Sequence, residues 1–174
     1  MKPTLDIRQA NADDVPTIIE VAQKTFVETY GETNKKENVE QYMSNMFSTD
    51  KICAEINSES ERFYIAFNNG TPVGFTKMRS DRKARGLDGK RAIEIERIYV
   101  LKEFQGLKVG KELLDKCKSI ALEEDYKIIW LQVWQANAKA VQFYQKGGFV
   151  IYETAIFQFG DEVHQDYVMR YDFY

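Results

Sequence analysis

Two periods of apolar residues divide the chain into a helical first third and a strand-rich remainder. Apolar and polar residues alternate around Leu5, which predicts a short strand, and Asn11 with the acidic residues behind it supplies a helix start. Apolar residues then recur at helical spacing up to Gly31. Two further helices are predicted, one over Lys36–Phe47 and one after a Ser48 N-cap.

Beyond Arg62 the pattern is that of strands. The segments RFYIAF and VGFTKMRS predict a hairpin, because Asn69-Gly70 between them supplies the positive φ angles that a tight turn needs. A third strand, AIEIERIYV, enters a glycine-containing loop at Gln105–Gly110 that opens a helix. A buried strand, KIIWLQVW, a helix at Asn137–Lys146 and two final strands around Asp161 complete the pattern.

The resulting order, β-α-α-β-β-β-α-β-α-β-β, is typical of the mixed α/β class, an α+β mixed sheet whose helices pack on largely antiparallel strands. The helix between AIEIERIYV and KIIWLQVW predicts one parallel strand pair at the centre, because such a crossover normally returns the chain to the same sheet. The chain has 174 residues and no linker or repeat, so residues 1–174 are predicted to form a single domain.

The charged residues restrict the classes of molecule that the protein is expected to bind. Basic residues number 24 and acidic residues 27, so nucleic-acid binding by bulk charge is not expected. Residues 1–61 hold 6 basic and 12 acidic side chains, whereas residues 62–174 hold 18 and 15. This asymmetry has two interpretations: ordinary solvated helix faces, or an acidic surface for a cationic substrate beside a basic surface for a polyanionic cofactor.

Cysteine usage and the N-terminal segment bear on location and metal binding. Cys53 and Cys117 lie far apart without C-x-x-C spacing, so two reduced, buried thiols in a reducing compartment are expected. The first residues lack the apolar core of a signal peptide, and no apolar run reaches about 18 residues, so we expect a cytoplasmic protein with no membrane partner. One histidine, His164, and no cluster of Cys and His argue against a metal site.

Two segments carry candidate binding chemistry. Residues 105–111 lead into a helix N-terminus, whose free N–H groups can bind a pyrophosphate. The side chains of Lys108 and Lys111 could add positive charge there. The plain alternative is a structural loop-to-helix junction. On the later helix, Asn137 and Tyr144 are seven residues apart and face one groove. A neighbouring stripe of the same helix is suited to packing on the sheet and consists of Ala136, Ala140, Phe143 and Gly147. The plain alternative is an ordinary amphipathic helix.

Glu94 and Glu96 are the candidate acid–base residues. They are alternate residues of AIEIERIYV and so share one face of a strand. A polar strand face would explain them equally well. An amine acceptor, however, is mostly ammonium at neutral pH, and a carboxylate could take its proton and favour its binding.

Together the loop and the later helix resemble the acyl-CoA site of the GCN5-related N-acetyltransferase (GNAT) superfamily. Gln105 and Gly110 fit the signature R/Q-x-x-G-x-G/A, and residues 137–149 fit the spacing N-x-x-A-x-x-F-Y-x-x-x-G-F. The resemblance implies the GNAT fold with a splayed parallel strand pair, acetyl-CoA as co-substrate, and direct transfer to a primary amine in a ternary complex. The cofactor-binding residues that it implies are Ile98, Tyr99, Val100, Gln105, Gly106, Leu107, Lys108, Val109, Gly110, Lys111, Asn137 and Tyr144.

The resemblance also implies roles. Asn137 would contact the pantetheine arm, the backbone at residues 98–100 would polarise the thioester carbonyl, and Tyr144 would protonate the departing thiolate. A phenol can fill this role because its ordinary pKa of about 10 keeps it protonated at neutral pH and lies close to that of a thiol, about 8.5. Lys108 stands where the signature has its middle glycine, and a positive φ there would cost a lysine about 1 kcal/mol or more.

The segments around Glu96 and Tyr144 are most similar to those of bacterial PaiA-type spermidine/spermine acetyltransferases. This resemblance implies Glu96 as the base, Glu94 as a helper or substrate anchor, and a polyamine acceptor lying against the acidic first helices. Other acceptors stay open, namely an amino acid, an aminoglycoside or a protein N-terminus. So does a CoA-binding regulatory module without turnover, for which Lys108 is the main support.

Three further features are expected to be structural. His164 is predicted to lie on a strand surface, and the basic stretch Lys77–Arg91 to form a solvated hairpin loop rather than a nucleic-acid site. The aromatic end, at Tyr171, Phe173 and Tyr174, fits either a homodimer edge or packing on the sheet.

Overall fold

The computed structural model describes residues 4–174 and has one mixed sheet with helices on both faces. Over those residues the seven strands pair in the order β1-β2-β3-β4-β5-β7-β6. The elements are β1 Leu5–Gln9, α1 Val15–Tyr30, α2 Lys36–Met46, α3 Thr49–Ile56, β2 Glu61–Asn68, β3 Thr71–Arg79, β4 Ala92–Val100, α4 Val109–Glu123, β5 Ile128–Trp134, α5 Ala138–Lys146, β6 Val150–Phe159 and β7 Glu162–Asp172.

The caps predicted for the first helices are present. Asn11 forms a capping box with Asp14 ahead of α1, and the Ser48 hydroxyl accepts a hydrogen bond from the Lys51 N–H at the start of α3. The three helices that the apolar spacing predicts before the first hairpin are all present, one more than the predicted element order contains. That hairpin turns at Asn69 and Gly70, both with positive φ.

The two faces of the sheet carry different helices. On one face, α4 and α5 pack through Cys117, Ile120 and Val141. On the other face, α1, α2 and α3 enclose a core that includes Phe26 and Phe47. Both faces of the central strands are therefore buried, and the interior sides of the helices are fixed relative to the sheet.

The central feature for function is a gap between β4 and β5. These strands run parallel and pair only over Ala92–Glu94 and Ile128–Trp130, after which they diverge. The remaining strand neighbours are all antiparallel. The predicted splayed parallel pair at the centre of the sheet is therefore confirmed.

The side-chain environments bear on the expectations for the cysteines and for the aromatic C-terminal end. Cys117 is fully buried as expected, but Cys53 is only half-buried, and both are free thiols. The C-terminal aromatic residues Tyr171 and Phe173 pack against the main core, which accounts for them without a second copy of the chain. No helix within residues 4–174 is long and apolar enough to cross a membrane.

Candidate active site

Two clefts open from the gap between β4 and β5. One, of about 690 Å³, lies beside the loops before α4 and α5 and is called the loop cleft. The other, of about 580 Å³, lies between α1, α2 and the strands and is called the aromatic cleft. They share the wall residues Thr29, Ile98, Tyr99, Trp134, Asn137, Ala140 and Tyr144. A molecule in one cleft can therefore meet a molecule in the other at this wall.

The loop cleft is bounded by backbone donors at the start of α4. The first backbone hydrogen bond of this helix runs from the Glu112 N–H to the Lys108 carbonyl, so the N–H groups of Val109, Gly110 and Lys111 have no partner within the helix. These donors and the positive end of the helix dipole suit a phosphate group.

The conformation of this loop requires two residues with positive φ. Gly106 has a φ of 85°, and a Cβ there would meet no atom within 4 Å. Lys108 has a φ of 66° and a ψ of 7°, which is left-handed helical. The strained lysine predicted from the signature is therefore found in the structure, so the glycine-loop geometry is kept although the glycine is not.

Charge in the loop cleft is predominantly positive. The side chains of Lys102, Lys108, Lys111 and Lys139 line it, against one carboxylate, Glu28. The Glu28 carboxylate already accepts a hydrogen bond of 2.9 Å from the Lys102 N–H. A polyanion is thus the class of ligand that this cleft favours.

The edge of β4 offers peptide groups to the gap. The Leu101 N–H donates to the Val73 carbonyl of β3, so by the alternation of an antiparallel ladder the peptide groups of Ile98 and Val100 face away from β3. The Val100 carbonyl accepts a hydrogen bond of 3.1 Å from the Gln105 amide, whose oxygen in turn accepts one from Lys139. The peptide group of Ile98 and the N–H of Val100 are therefore free at this edge, whereas the peptide group of Tyr99, which the resemblance also implied, faces β3.

Asn137 and Tyr144 take the positions predicted for them, facing the shared wall. The Asn137 side-chain oxygen caps α5 by accepting a hydrogen bond of 3.2 Å from the Ala140 N–H, which leaves its amide N–H groups available to a ligand. Tyr144 is 9% exposed, packs edge-on against Phe143 and Phe149, and lines both clefts. Burial raises the pKa of its hydroxyl, so it stays protonated over the physiological range.

Most of the residues implied for cofactor binding line the loop cleft, with two exceptions. Leu107 is 54% exposed, and Val109 is a buried core residue, so only the backbone of Val109 faces the loop. Gly110 allows close packing, because a Cβ there would lie 3.3 Å from the Phe143 ring. The stripe from Ala136 to Phe143 borders the cleft, whereas Val141 and Tyr144 form the most buried side of α5.

Glu94 and Glu96 are both held by cations. Arg79 approaches one Glu94 oxygen to 2.6 Å and Arg82 the other to 3.1 Å. Lys77, which is fully buried, lies 2.6 Å from Glu96. The basic residues at the start of the stretch Lys77–Arg91 are therefore site residues, and the prediction of a solvated loop for them was wrong.

The surroundings of Glu96 favour its ionised form. Burial would raise the pKa of Glu96, but the charges of Arg97, Lys77 and Arg79 outweigh burial and hold that pKa below its ordinary value. Lys77 also lies 2.9 Å from Glu55 and from Glu61. In the chain from residue 4 onward, this cluster joins five cations, which are Lys51, Lys77, Arg79, Arg82 and Arg97, to four carboxylates, which are Glu55, Glu61, Glu94 and Glu96.

A third carboxylate, Asp166 on β7, was missed by the sequence analysis. It is 7% exposed, lines the aromatic cleft, and accepts a hydrogen bond of 3.3 Å from the Gln132 amide. Burial raises the pKa of Asp166 to about 6, against the opposing effects of this hydrogen bond and of the Arg82 charge. The available signal was the alternation along β7, which puts His164 and Asp166 on the same buried face as Val168.

The walls of the aromatic cleft from α1 and α2 are apolar rather than acidic. Phe26, Tyr30 and Tyr42 line it from these helices, while Glu37 and Glu40 are exposed to solvent. The acidic helical surface expected against an acceptor is therefore absent from the cleft within the described chain. Its carboxylates come from the strands instead.

His164 is not on the strand surface. It is 7% exposed, stacks on Trp134 with ring centroids 4.4 Å apart, and forms a hydrogen bond of 2.8 Å between its Nε2 and the Asn34 side chain. Burial lowers the pKa of His164, so it is neutral at physiological pH. No group of three or more His, Cys, Asp and Glu side chains among residues 4–174 is placed to hold a metal ion.

Comparisons with known proteins agree with this geometry. The model of the acetyltransferase (GNAT) family matches residues 17–149. An uncharacterized N-acetyltransferase of Lactobacillus delbrueckii subsp. lactis is 29% identical over 164 residues, which cover 94% of this chain and 95% of that protein. A spermidine N(1)-acetyltransferase of Thermoplasma acidophilum is 28% identical over 155 residues, which cover 87% of this chain and 91% of that protein. The crystal structure of PaiA N-acetyltransferase from Thermoplasma acidophilum in complex with coenzyme A has a TM-score of 0.83 at 26% identity and covers 98% of this chain and 99% of its own.

Proposed function

The chain belongs to the acetyltransferase (GNAT) family and is an N-acetyltransferase with acetyl-CoA as co-substrate, and we propose that its acceptor is a primary amine of the polyamine class, such as spermidine or spermine. The observation that carries the proposal is the aromatic cleft, whose lining combines aromatic rings with the carboxylate of Asp166. Aromatic faces and a carboxylate together favour an ammonium group over an anionic one. The relative that acts on spermidine supports the same class of acceptor.

The charge balance of the cleft is consistent with a cationic acceptor. Each carboxylate around Lys77 is paired with at least one cation, whereas Asp166 makes no ion pair with any residue from 4 to 174. The residues that line the aromatic cleft include three arginines and three carboxylates, and Asp166 is the one of these carboxylates left without a cationic partner, so it is available to an ammonium group. The four lysines of the loop cleft lie on the other side of the shared wall, where a polyanionic co-substrate would bind.

The site residues then have separable tasks. The free N–H groups of Val109, Gly110 and Lys111 would hold the pyrophosphate, and the Asn137 amide would donate to the pantetheine arm. The free peptide group of Ile98 would stabilise charge that develops on the acetyl oxygen. Tyr144, kept protonated by burial, would give its proton to the leaving sulfur.

Glu94 and Glu96 have a less direct part in this scheme. The assignment of Glu96 as base stays a prediction, although the three cations around it make it a weak proton acceptor. Both glutamates fix the arginines that border the aromatic cleft, since Arg79 contacts Glu94 and Glu96 and Arg82 contacts Glu94. A cytoplasmic location and a homodimer also stay predictions.

An acetylation panel tests the acceptor. Purified protein is incubated with acetyl-CoA and each amine in turn, and release of the CoA thiol is measured; spermidine and spermine are expected to give the highest kcat/KM. Matched amines that carry a carboxylate, such as lysine, together with an aminoglycoside and a peptide N-terminus, form the comparison set. Faster acetylation of any of these would overturn the polyamine assignment. Tight acetyl-CoA binding in calorimetry without turnover on any amine would instead indicate a regulatory module.

A further inference from the structure

We propose that Asp166 is the catalytic base that takes the proton from the acceptor ammonium, a role that rests on the proposed amine acetylation. Asp166 lies on β7 directly opposite Trp134, the last residue of β5. Trp134 belongs to the wall that both clefts share with Tyr144. The carboxylate is therefore on the acceptor side of the gap, in the same cleft as the phenol that serves the leaving group.

The carboxylate has one oxygen fixed and one free. Oδ2 accepts the hydrogen bond of 3.3 Å from the Gln132 amide, while Oδ1 accepts no hydrogen bond from any residue between 4 and 174. Asp166 is largely buried, yet it lines the cleft. The Oδ2 atom is thus held by the protein, whereas the Oδ1 atom is left to accept a hydrogen bond or a proton from a ligand or water in the cleft.

A chain of contacts sets the orientation of Gln132. Arg82 is held by Glu94 at 3.1 Å and donates a hydrogen bond of 2.8 Å to the Gln132 side-chain oxygen. Because this oxygen is committed to Arg82, the amide N–H must point to Asp166. Glu94 therefore acts through Arg82 and Gln132 to hold Asp166, which makes Glu94 a positioning residue in this scheme.

Three titratable or charged groups face Asp166 from the surrounding elements. Arg82 approaches from the loop after β3, Tyr30 from α1, and His164 lies two residues earlier on β7. Burial raises the pKa of the Tyr30 hydroxyl, and burial lowers that of His164, so both are neutral near pH 7. The pKa of Asp166, raised to about 6, is closer to the working pH than the lowered pKa of Glu96, and such a carboxylate is the better proton acceptor.

The transfer step balances with Asp166 as acceptor of one proton. Asp166 takes a proton from the ammonium, directly or through one water, and the freed lone pair forms the N–C bond at the acetyl carbonyl carbon. The C–S bond breaks, and its electron pair leaves on sulfur, which receives the Tyr144 proton. The nitrogen loses its second proton to Tyr144. The products are the N-acetylated amine, the CoA thiol and protonated Asp166, which returns its proton to solvent.

The test is the pH profile of Asp166→Asn with spermidine. Wild-type kcat/KM is expected to rise through an apparent pKa near 6, where Asp166 ionises. Asp166→Asn is expected to lose that limb and about 100-fold or more in kcat, with acetyl-CoA affinity unchanged in calorimetry. Gln132→Met, which removes the hydrogen bond to the carboxylate, is expected to move the limb to higher pH. Lys83→Met, an exposed neighbour of Arg82, serves as the unaffected control.

A weakly basic amine separates proton transfer from substrate binding. With a primary amine whose ammonium pKa is below about 6, the acceptor is already neutral at pH 8, so Asp166→Asn should keep its rate within about threefold. An equal loss on both amines, or a raised KM with unchanged kcat, would overturn the base role. If the rise in kcat/KM near pH 6 is lost in Glu96→Gln but kept in Asp166→Asn, the catalytic base is Glu96 instead. If wild-type protein acetylates no amine, the proposed function fails, and the role of Asp166 fails with it.

Stability gives a readout that does not depend on activity. Because the pKa of Asp166 is raised above its ordinary value of 3.8, the folded state holds this proton more tightly than the unfolded state, and the carboxylate lowers stability as pH rises from about 4 to about 6. Asp166→Asn should therefore have a higher Tm than wild type at pH 8, with the gain fading by about pH 4. An unchanged Tm difference across this range would contradict a carboxylate that is charged in the cleft.

Discussion

Tyr144 is the residue whose chemistry can be separated from its packing, because phenylalanine lacks only the hydroxyl. The ring contacts with Phe143 and Phe149 should survive in Tyr144→Phe, so the fold and acetyl-CoA affinity should be unchanged. Loss of the proton donor is expected to lower kcat by about 100-fold or more. Steady-state kinetics with calorimetry on the same sample checks both statements, and an unchanged kcat would remove Tyr144 from the mechanism.

Lys77 and Lys51 form a matched pair at the residue scale, since both contact Glu55. Lys77 is fully buried among Glu55, Glu61 and Glu96, whereas Lys51 is 39% exposed and lies 3.1 Å from Glu55. Lys77→Met leaves three carboxylates without their common cation, and we expect a loss of about 3–5 kcal/mol in the free energy of unfolding. Lys51→Met should cost less than about 1 kcal/mol. Urea unfolding at pH 7 measures both, and equal losses would contradict a structural role for the buried amine.

The site residues that were recognised from the sequence lie close together along the chain, whereas those that were missed come from separate elements. Asn137 and Tyr144 belong to one helix, so spacing alone put them on one side of the cleft. Asp166, Gln132 and Arg82 lie on different elements, and only strand register brings them together. The burial of Lys77 was not predicted, because a lysine in a strand that is buried on both faces gives no periodic signal.

At the scale of elements, the start of α4 shows how a helix terminus can be kept without its usual residue. Lys108, in the left-handed conformation, is followed by the helix residues whose N–H groups have no partner within the helix, and two of these residues, Gly110 and Lys111, line the loop cleft. An unbranched side chain tolerates this conformation at a cost, and a β-branched one is a genuine outlier there. The strain could be predicted from the sequence because Lys108 replaces a glycine of the family signature. Only the structure shows that the lysine adopts the glycine conformation.

Substitutions at Lys108 test this account. Lys108→Met and Lys108→Ile both remove the charge but differ in β-branching, so Lys108→Ile should be less stable by about 1–2 kcal/mol and bind acetyl-CoA more weakly. Lys108→Gly should bind acetyl-CoA at least as tightly as Lys108→Met. Thermal unfolding and calorimetry on the three variants make the comparison. Equal affinities of Lys108→Met and Lys108→Ile would show that the loop conformation does not govern binding.

At the scale of the whole molecule, the aromatic cleft depends on a contact between two parts of the chain that are far apart in sequence. The turn between β6 and β7 packs on α2, where Asn38 is buried and donates hydrogen bonds of 2.8 Å to Asp161 and 2.7 Å to Glu162. Gly160 allows this approach, because a Cβ there would lie 2.0 Å from the Asn38 side-chain oxygen. Since α2 and β6 both line the aromatic cleft, this contact closes its far side. The sequence predicts the elements of this arrangement, but the contact depends on how α2 lies across the sheet, which no local pattern encodes.

Asn38→Ala is therefore expected to affect one cleft and not the other. Loss of two charge-assisted hydrogen bonds should lower the free energy of unfolding by about 1–3 kcal/mol and let the β6–β7 turn move away from α2. The KM for the acceptor should rise several-fold while acetyl-CoA affinity stays unchanged, because the loop cleft is built from β4, α4 and α5. Lys35→Met, which removes only the exposed ion pair to Asp161, is the control and should alter neither. A parallel loss of both affinities in Asn38→Ala would mean that the two clefts respond as one unit, and an unchanged acceptor KM would show that the turn does not shape the aromatic cleft.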